Sequence, residues 1–221
     1  MTRQLAFDLP ADAAMTRADF FVSPSNGLAL QTVEGWENWP GHKLVLVGPD
    51  GSGKSHLAQI WAAMTGGVIL RASDLATVSI DRLADRPVVV EDADDLSPLD
   101  EAALFHLHNV VTPAGALMLT AATPPRDWGL GLPDLVSRLQ AAAVARLEVP
   151  DDALLAAVLV KLFADRQIAV AANLIPYLIS RMPRSVGAAR RLVADLDARA
   201  LADGRPITRA LAGDVLDRSA A

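Results

Sequence analysis

Eight residues, Gly48-Pro49-Asp50-Gly51-Ser52-Gly53-Lys54-Ser55, carry the strongest chemical signal in the chain. Glycines at this spacing let the backbone curl until several N–H groups point at one place. A helix that begins there adds its partial positive charge, so the matching ligand is phosphate. Lys54 can reach the β- and γ-phosphates of a nucleoside triphosphate, and the Ser55 hydroxyl can ligate Mg2+. A chance glycine-rich turn would share the composition. It would not share the full spacing with a strand before it and a helix after it, and both are predicted here.

A magnesium triphosphate also needs an acid at the end of a neighbouring strand. Val88-Val89-Val90-Glu91-Asp92 ends in two. Glu91 is placed to hold Mg2+ through water, and Asp92 to orient an attacking water. Acids at a strand end are commonly solvated loop residues, and this pair gains meaning from the glycine-rich loop upstream. Asp94 and Asp95 read as a continuation of an acidic, solvated loop.

The elements that must position these groups follow from periodicity. Short apolar runs at 43–47, 68–70, 87–90, 116–119 and 143–149 read as buried strands. Between them, Gly53 to about Thr65 and Pro98 to about Val110 read as helices. Pro150 breaks the alternation and Asp151-Asp152 suits a helix start. Helices are then expected at 151–165, 170–181, 184–202 and 208–218, with no further strand. The fold class is therefore α/β: a five-stranded parallel sheet flanked by helices, with a small all-helical C-terminal lid. The expected division is a flexible arm at 1–18, the α/β domain at 19–150 and the lid at 151–221.

Composition narrows the function classes. The 221 residues are 52% hydrophobic and 21% charged, with a formal charge of -6. That balance gives no support to holding DNA through its phosphates. There is no cysteine, and the four histidines, His42, His56, His106 and His108, form no HExxH pattern. His106 and His108 read as ordinary helix residues on different faces. No segment has the apolar length of a membrane span, and the first ten residues lack a secretory h-region, so the expected compartment is the cytoplasm.

Several stretches resemble AAA+ P-loop ATPases of the DnaA clade, and within it the Hda-like regulatory inactivators. Phe20-Phe21-Val22-Ser23-Pro24-Ser25-Asn26 resembles the clade's segment that borders the adenine. His56-Leu57 is the clade's usual sequel to the loop. Pro124-Pro125-Arg126 and Gly131-Leu132-Pro133-Asp134-Leu135-Val136-Ser137-Arg138-Leu139 resemble the inactivator stretch, and Met182-Pro183-Arg184-Ser185-Val186-Gly187 the start of its lid. The resemblance implies ADP or ATP with Mg2+ as cofactors. It gives nucleotide contacts to Gly48, Gly51, Gly53, Lys54, Ser55, His56, Phe21 and Val22, and the sensor II role to Arg184. Arg138 becomes an arginine finger aimed at a neighbouring molecule's γ-phosphate. Without the resemblance, Arg138 and Arg184 would each read as a surface salt bridge. Gln4-Leu5-Ala6-Phe7-Asp8-Leu9 resembles the peptide that binds the DNA polymerase III β sliding clamp, through Gln4, Leu5, Phe7 and Leu9.

Two departures bear on catalysis. The sensor I aspartate falls on Ala122, where nearby Thr120 and Thr123 carry no charge. The first acid of the usual pair is Glu91 instead of Asp. Both weaken the case for fast intrinsic hydrolysis and leave nucleotide binding untouched. The chain also ends soon after a lid-sized segment, without a helix-turn-helix domain, which argues against an origin-binding initiator. The implied function is negative regulation of replication initiation. A nucleotide-bound protein would bind the DNA-loaded clamp and stimulate hydrolysis of DnaA-bound ATP. A finger used in trans needs an interface, with DnaA or with a second copy in a homodimer. The rivals are a self-sufficient AAA+ ATPase or helicase loader, a non-catalytic DnaA-binding module, and a small-molecule kinase.

Overall fold

The computed structural model describes residues 15–111 and 115–219. Strand β1 (Lys43–Val47) lies inside the sheet, and nearly every side chain in it is buried, as in a strand covered on both faces. It pairs in parallel with β4 (Leu117–Ala121) on one side and β5 (Ala143–Arg146) on the other. Beyond β4 come β3 (Val88–Glu91) and then β2 (Val68–Arg71), giving the order β2-β3-β4-β1-β5, all parallel.

Alternation along each strand sorts two cores. Leu44, Leu46, Val89 and Met118 point to the face covered by α1 (Gly27–Glu34) and α2 (Lys54–Thr65), where Trp39 stacks on the fully buried Trp61 at 5.2 Å. Val45, Val47, Val88, Val90, Leu117 and Leu119 point to the face covered by α3 (Pro98–Val110) and α4 (Pro133–Gln140). Four further helices pack around a third core containing Leu159, Phe163, Leu178, Val193, Leu196 and Leu211. They are α5 (Asp152–Asp165), α6 (Leu174–Ile179), α7 (Val186–Asp203) and α8 (Arg209–Ser219). Asp151 and Ser185 cap α5 and α7, accepting from the N–H groups of Leu154 and Ala188 at 2.8 and 3.2 Å.

Three expectations need adjustment. The fifth strand ends at Arg146, not 149, because β1 ends at Val47; beyond it Glu148 donates its N–H to the Ser25 carbonyl instead. Helix α6 begins at Leu174, not 170. Proline is tolerated in a first turn, whereas a start at 170 would put Pro176 in the second turn, where its ring meets a carbonyl. The short helices α1 and α4 went unassigned. The predicted arm is tested only from Met15 onward, and Gln4, Leu5, Phe7 and Leu9 lie outside the described residues. Among the described residues no helix is long and apolar enough to cross a membrane.

Candidate nucleotide site

The turn from β1 into α2 depends on glycines. Gly51 and Gly53 have φ of 71° and 110°, in the left-handed region where a side chain is strained. Gly48 has a different constraint: a Cβ there would stand 2.8 Å from the Leu147 side chain and 2.7 Å from Ser52 Oγ. Its N–H continues the sheet by donating to the Ala121 carbonyl at 3.1 Å. Gly48 therefore turns the chain, and it does not line the cavity.

Lys54 opens α2 and is 8% exposed. Its ammonium donates to the carbonyls of Gly48 and Pro49 at 2.7 and 3.2 Å, with Asp50 Oδ1 at 3.7 Å. The loop thus wraps around its own cation. The Ser52 hydroxyl is buried and has no hydrogen-bond partner among the described residues. A loop that curls around a buried ammonium at a helix start fits a phosphate group.

Above the loop is a cavity of about 400 Å3. Its floor is Asp50 to His56. Met15, Asp19, Phe20 and Phe21 form one wall, and residues of α5 and α7 form the other. The lid touches the loop directly: Val186 donates its N–H to the Gly51 carbonyl at 2.8 Å. A Cβ on Gly51 would come within 1.9 Å of Ser185 Oγ. The mouth is crossed by ions, with Lys161 of α5 3.1 Å from Asp19 and 3.0 Å from Asp165. His56 stands edge-on to Phe20 at 5.1 Å, and its Nε2 bonds the Thr16 carbonyl at 2.9 Å. Burial lowers the His56 pKa, offset in part by that bond.

Of the expected contacts, Gly51, Gly53, Lys54, Ser55, His56, Phe21 and Asp92 line the cavity; Val22 and Glu91 do not. Asp92 has φ of 57°, and its N–H donates to Thr120 Oγ1 at 3.2 Å, so the fully buried Thr120 fixes this strained turn. Glu91 is half-buried beside it, and its Oε1 is buried without a partner. Ser55 and Asp92, which both line the cavity, offer oxygen donors of the kind a phosphate-bound divalent cation takes. Asp94, expected in open solvent, accepts from the N–H groups of Ala122 and Thr123 at 2.7 and 3.1 Å, pinning the end of β4.

Arg184 does not reach the cavity. Its guanidinium is drawn to the start of α5, donating to the Pro150 carbonyl at 3.2 Å and pairing with Asp152 at 2.6 Å. The lid arginine that lines the cavity is Arg190. It is one of four arginines between 181 and 191, of which the resemblance singles out Arg184. The spacing 186, 187, 190 marks one face of α7, and that face turns to the loop. Arg138 is remote from the cavity lining. It is exposed on α4 and bonds Asn109 Oδ1 at 2.6 Å.

No protein-family model matches the sequence. Solved structures do resemble the molecule. Domain III of the replication initiation protein DnaA from Thermotoga maritima superposes with a TM-score of 0.80 at 20% identity, covering 95% of this chain and 98% of that one. AMPPCP-bound DnaA from Aquifex aeolicus gives 0.72 at 17% identity, over 86% of this chain and 67% of that one. RuvB from Thermotoga maritima gives 0.67 at 17% identity, over 90% of this chain and 70% of that one. The shared property is the fold, a parallel sheet covered by helices on both faces and followed by a helical C-terminal part.

Proposed function

We propose that the chain is an adenine-nucleotide-binding regulator of replication initiation of the Hda-like kind. It would hold ADP or ATP at Lys54 and the amides around it. The observation that carries this reading is the cavity between a phosphate-type loop and the lid, in a fold alike to DnaA domain III along nearly its whole length. Phe21 would border the base and Arg190 would approach from the lid. Ser55 and Glu91 would hold Mg2+, which when bound neutralises charge on the phosphates. Weak intrinsic hydrolysis follows from Ala122, whose N–H is bonded by Asp94 and whose side chain offers no charge.

In this reading residues 4–9 bind the sliding clamp, and Arg138 acts on ATP held by DnaA. A guanidinium delivered in trans stabilises transition-state charge and raises hydrolysis by roughly 10³–10⁵. The test is hydrolysis of DnaA-bound ATP with and without DNA-loaded clamp, using the full chain, Arg138→Ala, and a deletion of 1–10. Clamp-dependent stimulation that disappears in both variants supports the reading. Inhibition that persists in both would favour a non-catalytic DnaA-binding module. Fast turnover by the isolated protein would favour a self-sufficient ATPase. At the base of the reading, Lys54→Ala should weaken ADP and ATP binding about 100-fold by calorimetry, through loss of a charge-assisted contact. Unchanged affinity would remove the loop from the mechanism.

A further inference from the structure

Arg138 lies near Lys43, and neither side chain pairs with a carboxylate among the described residues, although Asp134 stands one turn before Arg138 on α4. Arg138 donates from Nη1 to Asn109 Oδ1 at 2.6 Å, and its guanidinium carbon stands 5.2 Å from the centre of the Phe105 ring. Phe105 and Asn109 are four residues apart on α3, so one helix face presents both. Lys43, the first residue of β1, donates its backbone N–H to the Pro40 carbonyl, and its ammonium makes no hydrogen bond or ion pair among the described residues. Its ammonium feels the charge of Arg138, and both cations act on the buried His108. Arg17, Arg166, Arg181, Arg184 and Arg199 each pair with a carboxylate, while other described arginines make no ion pair. Arg138 is set apart by its partners, a side-chain amide oxygen together with an aromatic face.

That difference has a chemical meaning. A guanidinium is a planar fork with five N–H donors. A neutral amide oxygen orients the fork through one of them and leaves its charge uncompensated. An aromatic face steadies the plane and leaves the outer edge open. A carboxylate in place of the amide would orient the group equally well and cancel the charge that an anion would meet.

We propose that Asn109 and Phe105 are positioning residues that keep Arg138 an oriented, uncompensated cation for the triphosphate of another molecule, with Lys43 adding to the field. This rests on the trans role of Arg138 set out above. The discriminating variant is Asn109→Asp. It keeps the size of the side chain and the acceptor for Arg138, adds a negative charge and replaces the amide NH2 by a second acceptor oxygen.

The experiment uses the full chain with DNA-loaded clamp and ATP-bound DnaA. It reads the maximal stimulated rate, the chain concentration at half-maximal stimulation, and the melting temperature. Asn109→Asp should lower the maximal rate roughly 10-fold or more, since the group that meets the transition state is compromised. Its half-maximal concentration should stay within about twofold, because docking is not what changed. Its melting temperature should hold or rise. Phe105→Leu should give a smaller loss of rate, and Asn109→Asp should add nothing in the Arg138→Ala background. Full stimulation by Asn109→Asp overturns the proposal, because a merely structural contact survives that change. A loss in Asn109→Asp while Arg138→Ala stimulates normally also overturns it. Normal stimulation by Arg138→Ala, or none by the unaltered chain, removes the trans reading itself, and the proposal falls with it.

Discussion

Among single residues, His108 is the one whose surroundings most oppose its chemistry. It is 5% exposed, and neither ring nitrogen has a hydrogen-bond partner among the described residues. Burial, and then the charges of Lys43 and Arg138, push its pKa down from 6.5 to about 4. In the unfolded chain the ring takes its proton near 6.5. Between these values the unfolded state binds more protons, so stability is complete above pH 6.5 and is lost as pH falls toward 4. A shift of this size corresponds to about 3 kcal/mol. The free energy of unfolding in urea should therefore drop across that window. His56, also depressed by burial, acts in the same direction. His108→Leu should reduce the slope without abolishing it; an unchanged slope would place the proton uptake at other groups.

The loop and the helices it touches form the next scale. Gly51 combines a left-handed φ of 71° with contact against the lid, so Gly51→Ala meets two obstacles at once. The backbone strain costs about 1 kcal/mol. The Cβ also has to displace Ser185, the cap of α7, so the lid should part from the loop. Nucleotide affinity should fall, and residues 185–190 should exchange amide hydrogens faster; unaltered exchange there would show that the lid does not depend on this contact. At this scale much was legible in the sequence. The Gly48–Ser55 spacing, the β-branched run ending in Glu91, and Pro98 and Asp151 as helix starts are local signals, and local signals are written in order along the chain. Which arginine enters the cavity is not local. Arg184 and Arg190 differ in fate because Asp152, more than thirty residues away in sequence, captures the first. Gly48 is similar: its need for a bare backbone comes from Leu147, just past the end of the neighbouring strand β5. The helix α1 was hidden because glycine at its first position weakens the propensity signal.

At the scale of the molecule, two bodies of structure meet over the cavity and are joined by few polar links. Lys161 is one, bridging Asp19 on the sheet side to α5. Both side chains are partly exposed, and such pairs contribute about 1 kcal/mol or less. Lys161→Met should therefore weaken ADP binding by about threefold, and the difference should shrink as salt rises. A loss that is large and insensitive to salt would mean that Lys161 meets the nucleotide itself.

The parallel sheet has a directional consequence. Every strand runs the same way, so the loop and Asp92 follow the strands' carboxyl ends while Lys43 begins β1, with Arg138 close enough to influence it. Five residues of strand, about 16 Å, separate the two poles. No bending of a side chain brings a molecule's own Arg138 to its own loop. Any turnover that needs both must be bimolecular and vectorial: one copy gives, the next receives. A row built on that rule grows with a single polarity, and a member offering a good giving face with a poor receiving one ends the row where it joins.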